Sequence, residues 1–194
     1  MYYKLWLVPL IDEDEIPFSY YEFNACQEED LEWAWHDGIK FSVVPEQSLK
    51  LKIDLDDPDA GEFADYIYGY IPLVSERFKS VLDVCGISNI DYYPVDIIGA
   101  DKFEDIPKYY AFNVVGKIAA ADRDKSDYFE AFGQMGATQF SRFVINESVV
   151  KNIDFFRLAE QSSTIIVSER IKLACEEAGI DTLYFIPLEE TDND

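Results

Sequence analysis

The chain has 194 residues, 48% hydrophobic and 15% aromatic, enough apolar side chain to fill a core without disulfides or a structural metal. Sixteen Lys and Arg stand against 39 Asp and Glu, a net charge of −23. That charge repels phosphate and anionic lipid, which argues against a nucleic-acid or membrane-surface binder and leaves a soluble monomer or a protein that captures a basic partner.

Residues 2–10 read as a first strand, and 12–38 as an acidic loop containing the aromatic-acidic stretch EEDLEWAWHDG. Strand-like runs follow in 39–55, broken at Pro45. There Leu49, Leu51, Ile53 and Leu55 alternate with Lys50, Lys52 and Asp54, the period of a half-buried strand. Residues 56–62 form a turn-rich acidic loop, and 64–74 an aromatic strand-like run.

The most informative pattern lies further on. Residues 74–94 and 167–187 align without a gap at an offset of 93, sharing Val-Ser-Glu-Arg and later Lys, Gly, Ile and Pro. Each segment predicts a serine N-cap (Ser75, Ser168). An amphipathic helix follows, with Phe78, Val81, Leu82 and Cys85 in one and Ile171, Ala174, Cys175 and Ala178 in the other. Gly86 and Gly179 stand where a left-handed helix end belongs, and a strand ending at Pro94 or Pro187 comes next. Glu76 with Arg77, and Glu169 with Arg170, read as helix-start electrostatics and surface pairs. Between and around these units, 108–121, 140–150, 153–158 and 163–167 read as strands and 122–127 as a charged turn. The expectation is one α+β domain over 1–194, with a mixed or antiparallel sheet, about three helices and a repeated helix–Gly–strand unit.

Catalytic chemistry finds little support. His36 is the one histidine, and neither a Gly-x-Ser-x-Gly elbow nor a catalytic cysteine setting accompanies it. It reads as a surface or capping residue. Cys26, Cys85 and Cys175 are few and far apart, with no C-x-x-C pair, and the last two fall on apolar helix faces. The acids from Asp54 to Glu62 fail the EF-hand template, because Pro58 and Asp59 fall where it needs a ligand and a turn glycine. No phosphate-binding loop or zinc motif is present, so no catalytic, cofactor or metal residue is assigned. The apolar opening runs straight into Asp12-Glu13-Asp14-Glu15, the wrong flank for a secretion signal, and no apolar run approaches the ~18 residues of a membrane span. A cytoplasmic location is expected.

The order of several short motifs resembles a known family. Tyr92-Tyr93-Pro94-Val95, the YYAFNVV run 109–115, ADRDKS at 121–126 and DFFRL at 154–158 come first. Ile165-Ile166-Val167-Ser168-Glu169-Arg170 and a Gly-Ile-x-x-Leu-x-Phe strand at 179–185 complete the series. Together, over about 66–188, they resemble the eleventh immunity family of bacterial polymorphic toxin systems, first catalogued as a domain of unknown function; residues 1–65 carry less of the likeness. The resemblance implies a cytoplasmic protector that binds and neutralises a cognate toxin, and a basic toxin would give the negative charge a use. It carries no catalytic residues. Candidate contacts are the acids beside aromatics, Glu28, Glu29, Asp30 and Glu32 with Trp33 and Trp35, and the acidic loop of Asp54, Asp56, Asp57, Asp59 and Glu62. A carboxylate-based enzyme and an acidic scaffold or assembly protein are the alternatives.

Overall fold

The computed structural model describes residues 1–6, 23–25, 34–42, 48–53, 63–99, 103, 105–130 and 138–188. They form thirteen strands and two helices in α+β order. The strands are β1 (Tyr2–Trp6), β2 (Phe23–Ala25), β3 (Leu49–Ile53), β4 (Tyr66–Ile67), β5 (Leu73–Ser75), β6 (Ile90–Ile98) and β7 (Tyr109–Val114). They continue with β8 (Lys117–Ile118), β9 (Asp127–Glu130), β10 (Thr138–Arg142), β11 (Phe155–Leu158), β12 (Ile165–Ser168) and β13 (Tyr184–Pro187). The helices are α1 (Glu76–Val84), between β5 and β6, and α2 (Glu169–Glu177), between β12 and β13.

Two mixed sheets carry the fold. One has the order β2-β3-β6-β7-β5-β4, the other β13-β1-β12-β11-β8, and β9 with β10 forms a separate antiparallel pair. Pairing is antiparallel except between β3 and β6 and between β8 and β11. In the first sheet β5 lies between β4 and β7, with β6 beyond β7; in the second, β12 lies between β11 and β1, with β13 beyond β1. The chain's first strand therefore occupies in one sheet the place that β7 holds in the other. The registers agree residue by residue. Tyr92 faces Phe112 as Phe185 faces Leu5, and Val74 faces Tyr110 as Val167 faces Tyr3.

The alternation of each strand sorts side chains into layers. Val74, Phe112, Val114, Tyr3, Leu5 and Val167 turn to a central core with the buried faces of both helices, Phe78, Val81, Leu82, Ile171 and Cys175. Leu73, Tyr93, Tyr109 and Ala111 turn to the far side of the first sheet, where they pack with Trp35, Leu49 and Leu51. Ile166, Phe156 and Leu158 turn to the far side of the second sheet, with Ala120 and Val150. Arg157 is fully buried and has no carboxylate partner among the described residues. It donates to the backbone carbonyls of Ser162 and Trp35, tying the 34–37 turn to β11.

The helix segments form as their capping chemistry dictates, with one difference. Ser75 Oγ accepts from the Phe78 N–H at 3.0 Å, a standard N-cap. Ser168 has the same extended backbone and its hydroxyl donates to Asp154, but it makes no side-chain cap. Both helices end on a glycine of positive φ, Gly86 at 73° and Gly179 at 69°. Behind them, Ile87 N–H reaches Leu82 O and Ile180 N–H reaches Cys175 O, the 6→1 bond of a Schellman end.

Several expectations change. The 64–74 run is not one strand: it folds at Tyr68-Gly69-Tyr70 into the antiparallel pair β4–β5. Pro94 does not end its strand. It sits mid-β6 where pairing passes from β7 to β3, so its missing N–H falls at the change of partner. Gly116, at φ 90°, divides the 108–121 run into β7 and β8. Residues 143–150 lie outside the strands, joined to the fold by the bridge Ile145–Ala121, by hydrogen bonds such as Asn146 N–H to Ala120 O, and by Val150 in the core. Two helices, not three, stand among the described residues.

Replacing Phe78, fully buried under α1, by Ala is expected to cost about 3–5 kcal/mol of unfolding free energy, whereas Val84→Ala on the solvent side changes it by less than about 0.5 kcal/mol. Urea unfolding of both variants checks this; comparable losses would contradict the packing described.

Candidate partner-binding surface

Each helix begins beside an aspartate supplied by the strand that pairs with its own leading strand. Asp65 precedes β4 and Asp154 precedes β11. The N–H of Ser75 bonds Asp65 O at 2.9 Å, and that of Ser168 bonds Asp154 O at 2.8 Å. Both serine hydroxyls donate to the neighbouring carboxylate Oδ1 at 2.5 Å. An arginine two residues later completes each cluster. Arg77 grips both oxygens of Asp65 through Nε and Nη2, while Arg170 brings Nε (3.1 Å) and Nη2 (2.6 Å) to one oxygen of Asp154.

The arginines then cross between the helices. Arg77 Nη1 donates to Gly179 O at the end of α2, at 3.2 Å. Arg170 Nη2 donates to Cys85 O at the end of α1, at 2.9 Å. Each guanidinium thus serves as a charge at the C-terminus of the other helix, where neither helix carries a basic residue in its own last turn. Further contacts repeat the theme. Glu76 N–H bonds Lys108 O and Glu169 N–H bonds Met1 O, while the ammonium of Lys79 lies 4.8 Å from the Tyr92 ring centroid and that of Lys172 lies 5.0 Å from that of Tyr3.

The clusters differ in burial. Asp65 has a side chain only 5% exposed against 26% for Asp154. Burial alone would raise the Asp65 carboxyl, but hydrogen bonds from Arg77, Ser75 and Thr182 together hold it below the usual carboxylate range. The Arg170 hydrogen bond does the same for Asp154 against a smaller burial effect. A carboxylate held ionised by an arginine is a structural anchor and the opposite of a general acid.

Between α1 and α2 lies an open groove of about 580 Å³, lined by Val81, Val84, Cys85, Ala174 and Ala178 and rimmed by Arg77, Ser80 and Glu177. A second hollow of about 500 Å³, by Met1, Tyr2 and Phe143, includes Asp122. Its carboxylate is bonded by Lys125 at 2.8 Å and held below its ordinary value by that bond.

Glu28, Glu29, Asp30, Glu32, Trp33, Asp54, Asp56, Asp57, Asp59 and Glu62 lie outside the described residues. Trp35 is described. It is 1% exposed and sits edge-on to Phe41 and Tyr93, so its ring belongs to the core of this structure. His36 is half-buried rather than free on the surface: its Nε2 lies 2.8 Å from Gly69 O, and burial lowers its pKa. The Asp–Ser–Arg clusters escape the sequence comparison because Asp65 and Asp154 stand ten and fourteen residues before their serines, outside the gapless match. An Asp followed by an aromatic stands at both places (Asp65-Tyr66, Asp154-Phe155), but Asp91-Tyr92 and Asp127-Tyr128 share that pattern without such a cluster.

The family model of the Imm11 immunity proteins matches residues 11–190, nearly the whole chain. The chain belongs to the Imm11 immunity protein family. The match extends the likeness well into the first third, so the N-terminal part is family sequence too. Curated proteins provide no match. Membership of Imm11 points to a protective rather than a catalytic role. Among the described residues no helix is long and apolar enough to cross a membrane.

Asp65→Asn is expected to cost about 2–3 kcal/mol, less than the ~3–5 kcal/mol for breaking a fully buried pair because Arg77 can turn to solvent, and Asp154→Asn about 1 kcal/mol. Both carboxyls lie below their ordinary value of 3.8, so their contribution is complete above that pH and is lost as pH falls through the folded values. The stability gap between wild type and Asp65→Asn should therefore shrink on acidification below about pH 4, as read by chemical unfolding from pH 7 to 2.5. A gap independent of pH would contradict the ionised anchor.

Proposed function

We propose that this Imm11 chain is a single-domain cytoplasmic protector that neutralises a cognate toxin by binding it and covering its working surface. The observation that carries this is the family match over residues 11–190. The net charge of −23 gives the capture a physical means: a basic toxin domain would be drawn in by a long-range field and held by contacts at close range. The acidic stretches Glu28, Glu29, Asp30 and Glu32 with Trp33, and Asp54, Asp56, Asp57, Asp59 and Glu62, remain proposed contacts; Trp35 would act from beneath, by holding the 34–42 segment on the first sheet.

We further propose that segments 74–94 and 167–187 are one helix–Gly–strand unit used twice, each completed by a neighbouring strand, β7 in one case and β1 in the other. The matching registers, the paired Asp–Ser–Arg clusters and the lysine–tyrosine contacts speak for it. The two helices would then present a two-fold-related pair of ends to the partner.

Tagged protein recovered from its source strain, grown so that toxins are expressed, should carry one toxin domain at equal stoichiometry. That domain should be inactive in the complex and active alone, and should kill cells unless this chain is co-expressed. Its association rate constant should fall about tenfold or more between 0.05 and 0.5 M salt. A captured domain that keeps its full activity in the complex would contradict neutralisation, and a salt-independent rate would contradict electrostatic capture.

A further inference from the structure

We propose that the groove between α1 and α2 docks a cationic–apolar segment of the toxin: an aliphatic or aromatic side chain seated over Val84, Cys85 and Ala178, with a neighbouring Lys or Arg against Glu177 and Asp181. The proposal rests on the toxin-binding reading above.

Three observations converge on this groove. The first is apolar exposure. Val84, in the last turn of α1, is 89% exposed, and it stands beside the half-buried Cys85 and the small residues Ala174 and Ala178. The small side chains on α2 leave the space that Val84 borders. A valine so exposed, over an open apolar floor, has the character of an interaction surface.

The second is the charge of the rim. The C-terminal ends of two helices meet the groove; Arg170 and Arg77 bond the carbonyls of Cys85 and Gly179 there, so the side chains of the last turns set the sign of the rim. Carboxylates are unfavourable there, yet the last turns hold Asp83 in α1 and Glu176 and Glu177 in α2, with no basic residue in either. Lys79 and Lys172 from earlier turns neutralise Asp83 (2.5 Å) and Glu176 (3.4 Å). Arg77 and Arg170 are drawn to Asp65 and Asp154. Among the described residues Glu177 keeps no cation, and Asp181, exposed to solvent, has Arg77 at 3.9 Å. The sequence thus leaves Glu177 and Asp181 as negative charge beside an apolar floor at the end of α2.

The third concerns which occupant fits. A second copy of this chain would bring −23 against −23, and nucleic acid or an anionic membrane would be repelled in the same way. A protein segment with an apolar anchor and a cationic flank satisfies both the floor and the rim. The groove, at about 580 Å³, has room for one large side chain and its neighbours.

Cys85 is a probe already in place. It is half-buried and lines the groove, whereas Cys175 is buried and burial pushes its thiol up to about 12, which keeps it unreactive at neutral pH. With Cys26→Ser removing the remaining thiol, maleimide labelling at pH 7 reads Cys85. Saturation with the toxin domain should slow that labelling about tenfold or more, and Val84→Lys should weaken toxin binding about a hundredfold while leaving the urea midpoint unchanged. Glu177→Lys, which alters charge without touching the floor, should weaken it about tenfold, mainly through slower association. If the toxin binds and is neutralised but labelling is unslowed, or Val84→Lys binds as wild type, the groove is not the docking site and the immunity reading stands. If a toxin domain that kills unprotected cells neither binds nor is neutralised, the immunity reading itself falls and the groove proposal with it.

Discussion

Arg77 leaves α1 and donates to Gly179 at the end of α2; Arg170 leaves α2 and donates to Cys85 at the end of α1. Much else hangs on this exchange. Each helix has nine residues, below the length at which an isolated helix holds in water. Tertiary anchorage must supply what propensity cannot. It comes from Phe78, Leu82, Ile171 and Cys175 in the shared core and from aspartates that fix each arginine before it crosses. Because the central core takes side chains from both sheets, the crossing helices also help to set how the sheets meet.

The same exchange shapes the surface. With both arginines committed to carbonyls and aspartates, and both helix lysines to Asp83 and Glu176, cations near the helix ends are consumed by internal contacts. Among the described residues, Glu177 and Asp181 are exposed acids outside these pairs. That division would serve the proposed capture of a basic toxin: structural cations hold the scaffold, and surplus anions are left for the partner. Arg157 follows the same logic in the interior, where its guanidinium is spent on two backbone carbonyls rather than on a carboxylate.

Local chemistry was legible in the sequence, and non-local pairing was not. Ser75 as a cap, the glycine ends at 86 and 179, the buried faces of both helices and the alternation of Leu49 and Leu51 against Lys50 and Lys52 each depend on neighbours a few residues away. The place of β1 depends on β12 and β13, at the other end of the chain, and no periodicity names a strand's partner. Ser168 looks like a cap in sequence but makes no side-chain cap bond, although Ser75, with the same aspartate contact, does. Arg77 and Arg170 read as surface charges because the carbonyls they bond belong to the other helix. Pro94 reads as a strand end because sequence shows the lost N–H but not that the strand changes partner there. Trp35 sits among acids in sequence and among Phe41, Leu49 and Tyr93 in space. The acidic stretches singled out as contacts stand as sequence proposals.

The most direct test of this account is a double-mutant cycle on the crossing arginines, Arg77→Met and Arg170→Met, read by urea unfolding. If the two helices are locked by a reciprocal exchange, the losses will be non-additive, with a coupling of about 1 kcal/mol, because removing either arginine loosens the helix that carries the other. Losses that add to within about 0.3 kcal/mol would mean that the helices are anchored independently, and would contradict the claim that one exchange holds the pair.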